Sequence, residues 1–398
     1  MQLSVLLVAL LAQSVAALPD PPSPAPSTPP GECSTEYIYK PKPFGFFANN
    51  TIYTPIGNES ITYPRHVELQ DGTILATASL RGRRSPAALP IFESKDGGAS
   101  WRWVSDVEDQ VNGWGLGAHP ALTELTEPIG GYPAGTILAT GNSASNNGTR
   151  IDLYASTDKA RTWNFVSHIA QGGRPNTTNG ADPIWEPYLL VYNHSLVAYY
   201  SDQRDPKHGQ KLSHQVSADL KTWGPVVDDV AYDLYIARPG MTVVAYIPPI
   251  DQWILVHEFP VGNSSSHGVH YPVYYRLSKS PLDFRLSEGI PIVINNTTAP
   301  NASPYVVWSS VGGPNGTIVV SDADNKVVYT NRAGGDASKW ELHDTPAGAT
   351  YSRSIHILNK HQDNLLLFGG ETFDDMGLHL LTPFTATVVS LTDILEHW

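Results

Sequence analysis

One pattern recurs six times along this 398-residue chain and leaves few folds open to it. A polar residue, often followed by proline, opens an apolar strand; a turn follows, then a second apolar strand. The copies read PRHVELQDGTILATAS, HPALTELTEPIGGYPAGTILATGN, EPYLLVYNHSLVAYYS, RPGMTVVAYIPPIDQWILVHEF, SPYVVWSSVGGPNGTIVVSDAD and SRSIHILNKHQDNLLLFGGE. They lie 50 to 67 residues apart, which leaves room for two further strands in each. Long helical patterns are nearly absent. An all-β chain of six four-stranded units is expected, with the arithmetic of a six-bladed β-propeller whose ring is closed by a strand near NNTIYTP against the last blade.

A second marker sits in the outer half of several repeats. Ser94 to Trp101, SKDGGASW, is a full SxDxGxxW Asp box; Ser156 to Trp163 keeps it with Ala160 for the glycine, and Ser217 to Trp223 is a shortened version. The Asp should accept backbone N–H bonds in a turn while the Trp packs between sheets. These residues speak for a propeller, not for a mechanism.

The ends of the chain read differently. Residues 1–17 form a short apolar stretch ending in small residues, the pattern of a secretory signal cleaved after Ala17. Residues 18–34 are a Pro-rich leader that cannot build a core, and residues 35–398 are assigned to the propeller. Ten NxS/T sequons, at Asn49, Asn58, Asn147, Asn176, Asn193, Asn263, Asn295, Asn296, Asn301 and Asn315, suit a secreted glycoprotein. The single cysteine, Cys33, excludes an internal disulfide framework and any cysteine-rich metal site. A formal net charge of −13 with scattered basic residues argues against nucleic acid as a partner, and no later segment is long and apolar enough for a membrane span. The acidic, aromatic-rich composition suits a neutral carbohydrate, and a monomer is expected.

In a propeller the start of the innermost strand and the end of the next lie on one face, and only these build the axial pocket. The residues opening the innermost strands read Arg65, His119, Glu186, Arg238, Ser303 and Arg353. Five large ionisable groups in six places need each other or a ligand. Aligning the second strands on TILATAS gives Ala78, Gly141, Tyr200, Glu258, Asp322 and Gly369 at the sixth position, so Glu258 and Asp322 are candidate partners for Glu186.

Two carboxylates across a sugar-sized pocket are what glycosidic cleavage needs. The arginines of the ring favour an ionised Glu186, which suits a nucleophile; apolar neighbours in WILVHEFP should raise Glu258 and suit it to proton transfer. Asp322 is the alternative acid, and the plain alternative for Glu186 is a charge that only neutralises a crowded axis. His119 reads as a hydrogen-bonding wall residue, since no second ligand stands at metal spacing. Trp185 and Tyr351 could stack on a sugar or belong to the core. No cofactor or metal is called for.

The run YPRHVELQDGTILATASLRGRR followed by an Asp box resembles the sialidase superfamily, and the chain from about residue 37 is similar to glycoside hydrolase family 93. That resemblance implies a fungal exo-α-1,5-L-arabinanase acting on linear arabinan or arabino-oligosaccharides and releasing arabinobiose with retention. It also implies that Glu186 in PIWEPY and Glu258 in LVHEFP are the catalytic pair, with Arg65, Arg238, Arg353 and Tyr351 as pocket residues. A true sialidase is the competitor, through Tyr351 in TYSRS and the arginines. Against it, the loop LRGRRSPAALPIFES holds no aspartate, and Ser303 stands where an arginine would help clamp a carboxylate. A silent carbohydrate-binding propeller is the third reading.

Overall fold

The computed structural model describes residues 46–266, 268–370, 372–373, 379–380 and 382–396; the expected signal, the leader and Cys33 lie outside them. Six antiparallel four-stranded sheets form a six-bladed propeller. The innermost strands are Ser60–Glu68, Ala118–Glu124, Ile184–Tyr192, Gly240–Ile247, Tyr305–Ser309 and Ile355–Ile357. In blades one to five the chain steps outward strand by strand. Blade six is built from both parts of the chain: Phe47–Tyr53 adds the outermost strand to Phe384–Ser390, with Asn50 opposite Ala386 and Tyr53 opposite Phe384. Most of NNTIYTP, the segment expected to close the ring, lies in that strand, so closure rests on a backbone ladder rather than a covalent link.

The second strands are buried on both faces, which is why they read as apolar runs rather than as an alternation. Each fully buried Val, Leu or Ile contributes about 1.5–3 kcal/mol. The layers between blades are continuous: one cluster joins Val256 and Tyr275 of blade four, Val319 and Val328 of blade five, and Ile355 and Leu365 of blade six.

The Asp boxes do the work expected of them. Asp96 Oδ1 accepts from Ser100 N at 2.9 Å, and Asp158 Oδ1 from Thr162 N at 2.9 Å. Ala160 takes the left-handed φ of 63° that glycine would otherwise supply. The indoles of Trp163 and Trp223 donate to Ser105 and Ser167 of the preceding blade, at 3.0 and 3.1 Å. These two boxes therefore tie their turns to a neighbouring sheet, on the face away from the pocket, whereas Trp101 donates to Gly98 O of its own turn and packs on Phe368 of blade six.

Candidate active site

Four innermost strands break their ladder at the same place. Tyr63 and Pro64 oppose the single residue Ala78, His119 and Pro120 oppose Gly141, Glu186 and Pro187 oppose Tyr200, and Met241 and Thr242 oppose His257. The first residue of each pair is left-handed, with φ of 59°, 50°, 59° and 62°; Ser303 at 39° and Ser352 at 60° continue the series in blades five and six. A β-bulge re-aims its side chain out of the ladder. Proline follows easily because it has no N–H for the ladder to lose. Six such residues ring the mouth of the propeller.

The second strand of one blade then receives the bulge of the next. Ser79 Oγ accepts from His119 N at 3.1 Å, Asn142 Oδ1 from Glu186 N at 3.2 Å, and Ser201 Oγ from Met241 N at 3.4 Å. In blade four the same place is taken by Glu258, whose Oε2 accepts from Ser303 N at 2.8 Å. Glu258 is a carboxylate in a position that serine or asparagine fills in the three preceding blades.

The two glutamates meet over Gly240. A Cβ at Gly240 would lie 3.4 Å from Glu186 Oε2 and 3.3 Å from Glu258 Oε1. One oxygen of each carboxylate therefore lies within about 7 Å of the other, which admits the ~5–5.5 Å spacing of a retaining pair. Ser201 Oγ donates to Glu186 Oε2 at 2.7 Å and Met241 N at 3.1 Å, so the carboxylate is held in one orientation. Burial, and then the charge of Glu186, pushes the Glu258 carboxyl up to about 8 against the opposing pull of Ser303 N–H and Arg238. At neutral pH Glu258 keeps its proton.

Around the pair stands an aromatic wall. Tyr351 faces Tyr63 at 6.3 Å between ring centroids, Tyr63 meets His119 edge-on at 5.0 Å, and His119 meets Trp185 at 5.9 Å. Asn142 gives its amide N–H to Ile184 O and accepts Glu186 N–H on Oδ1, so His119 Nδ1, 2.9 Å from that oxygen, must donate. Burial lowers the His119 pKa, and the neutral ring is left with Nε2 as an acceptor. Arg238 donates to Asn179, Gln203 and Gln210, all neutral acceptors, and its charge reaches both glutamates. Trp185 Nε1 shares Gln203 Oε1 with it at 3.0 Å.

Other residues expected in the pocket sit elsewhere. Arg65 is buried below the mouth, its guanidinium 4.1 Å from the Tyr63 ring centroid and donating to Pro64 O and Ser352 O. Arg353 and Asp322 are fully buried between blades five and six. Asp322 accepts from Asn301 N, Tyr329 Oη and both Asn325 donors, while Arg353 donates to Val327 O. The ring of arginines around Glu186 is thus reduced to Arg238. The bulge explains the displacement: the innermost strand carries an extra residue there, so counting from the strand interior mislabels its mouth. The residue before proline, in Tyr63-Pro64, His119-Pro120, Glu186-Pro187 and Ser303-Pro304, was the usable signal. Tyr63, Asn142, Ser201, Met241 and Tyr271, whose hydroxyl feels Glu258 and Arg238, were not singled out from the sequence.

Two opposed carboxylates at the mouth of a six-bladed propeller are the arrangement that a glycoside hydrolase needs. No protein-family model and no curated protein matches the chain. Solved structures do. The GH93 α-L-arabinofuranosidase of Fusarium graminearum, in complex with arabinobiose, is 43% identical with a TM-score of 0.83, and the match covers 88% of this chain and 99% of that one. The α-L-arabinanase of Penicillium chrysogenum, also complexed with arabinobiose, is 38% identical with a TM-score of 0.82 over the same shares. The chain belongs to glycoside hydrolase family 93. The NanB sialidase of Streptococcus pneumoniae, 10% identical with a TM-score of 0.56 over 87% of this chain and 71% of its own, shares the fold alone.

Proposed function

We propose that this protein removes arabinobiose from the ends of linear α-1,5-L-arabinan with retention of configuration. The observation that carries the reading is the meeting of Glu186 and Glu258 across Gly240, one held by two donors and the other protonated. Glu258 gives its proton to the glycosidic oxygen as Glu186 attacks the anomeric carbon, forming a glycosyl-enzyme. Glu258, now ionised, takes a proton from water, and that water displaces Glu186 in a second inversion. His119, Trp185, Tyr351 and Arg238 line the pocket, while Arg65, Asp322 and Arg353 brace it from below. Arabinobiose as the ligand of the two similar enzymes supports the choice of sugar.

Release from an end requires one side of the groove to be closed. By their length the connections around 171–186 and 260–272 are the candidates for that wall, and Asn179 of the first bonds Arg238 and Tyr235 O. The signal pattern of residues 1–17 and the ten sequons support secretion. Burial of Arg65 and Arg353 removes the arginines with which a sialidase would clamp a carboxylate.

The test is the product pattern. Linear arabinan should yield mainly a disaccharide and a sialic acid glycoside should be untouched; release of sialic acid, or binding without cleavage, would overturn the reading. Roles are tested by rescue: azide should restore turnover to Glu186→Gly with an inverted product. Inverted rescue of Glu258→Ala instead would exchange the two assignments.

A further inference from the structure

An open recess of about 320 Å³ lies on the substrate face of blade two, lined by Trp114, Asn147, Thr149, Arg150 and Gln171. Its lining is neutral apart from Arg150, and combines an indole with amide and hydroxyl groups, the mixture that suits a sugar chain. Trp114 is presented on a rigid loop. Asp109 accepts four backbone N–H groups of that loop, from Val111, Asn112, Trp114 and Gly115, at 2.7 to 2.9 Å. The Arg150 guanidinium stacks 5.0 Å from the Trp114 ring and is itself held by Asn112 Oδ1. An aromatic fixed before binding loses little entropy when a ligand arrives.

The recess is joined to the catalytic centre. Thr149 Oγ1 accepts from Ile184 N, two residues before Glu186, and Arg150 O accepts from Asn142, whose Oδ1 binds Glu186 N. It sits two strands outward from His119, about 10 Å by strand spacing. An enzyme that takes a chain end into an axial pocket must let the rest of the polymer leave across a blade.

We propose that this recess is a binding subsite for the leaving part of the arabinan chain, with Trp114 as its stacking platform. The inference rests on the arabinan reading and extends it from the reacting sugars to the chain beyond them. Chain length then sets affinity: arabinotriose ends short of the recess, whereas a polymer reaches it.

The experiment compares kcat/KM on arabinotriose and on debranched arabinan. All proteins carry Asn147→Gln, so that an N-glycan cannot fill the recess. Trp114→Ala should lower kcat/KM on the polymer about five- to tenfold, the size of one lost aromatic contact, and leave arabinotriose unchanged. Gln171→Ala, an exposed position with little risk to folding, should act in the same direction more weakly. Equal loss on both substrates, or no loss on the polymer in either variant, overturns the proposal. If the Asn147→Gln parent releases no disaccharide from either substrate, it is the arabinan reading that fails.

Discussion

Replacing Glu258 by glutamine should make the protein more stable as pH rises. The amide keeps an oxygen for Ser303 N–H, now at 2.8 Å, but removes the charge that burial and Glu186 oppose. A carboxyl raised from 4.5 to about 8 on folding binds more protons folded than unfolded between those values. Its contribution to stability is therefore fully present below about 4.5 and is lost as pH climbs toward 8. At 1.36 kcal/mol per unit the ceiling is about 5 kcal/mol; because the residue keeps some contact with solvent and titrates together with Glu186, water and relaxation should reduce it to about 1–3 kcal/mol. Thermal unfolding of both proteins should give matching midpoints near pH 4.5 and a variant several degrees higher at pH 8 to 9. Every other titrating group is common to the pair, so the difference isolates Glu258 and its coupling to Glu186. A difference that does not change with pH, or a less stable variant at pH 9, refutes the reasoning. In the parent, kcat/KM should fall as pH rises through the same range, because the proton donor is then ionised.

Three further outcomes follow from the geometry. Gly240→Ala puts a methyl 3.2 Å from Gln210 Nε2 and 3.3 to 3.4 Å from both carboxylates, without a left-handed φ to strain, so kcat should fall about 10- to 100-fold with little change in melting temperature; an unchanged kcat sinks the idea. Arg353→Met removes a buried guanidinium that bonds Val327 O and reaches Asp322 only through its charge, so it should cost about 1–3 kcal/mol in denaturant unfolding, while KM on arabinan stays the same; a raised KM in the folded variant would return Arg353 to the pocket. Trp163→Ala removes an indole that packs between blades and bonds Ser105, and should cost about 3–5 kcal/mol without altering the disaccharide product.

Blade number, ring closure and the Asp boxes were legible because each is written locally, as a hairpin period, a short strand or a turn motif. Glu186 was legible for the same reason: an acid before proline at the mouth of an apolar strand. Glu258 was also found, although by a register one residue off: blades one to three contribute Ala78, Gly141 and Tyr200 to the places opposite the bulge, and blade four contributes His257. Arg65 and Arg353 were misread because a charged residue near a strand opening looks the same whether it faces solvent, a pocket or the space between sheets.

The amino-acid sequence by itself determined the all-β repeat, the six-bladed count and the carboxylates available for chemistry, since strand period and turn residues act over a few neighbours. The tertiary structure alone decided which residue of each blade faces the substrate. A bulge adds one residue and resets the two-residue alternation, and whether Arg65 or Tyr63 reaches the mouth depends on hydrogen bonds from another blade. The closeness of Glu186 and Glu258 depends likewise on Gly240 offering no side chain between them, a fact about space that no local pattern records.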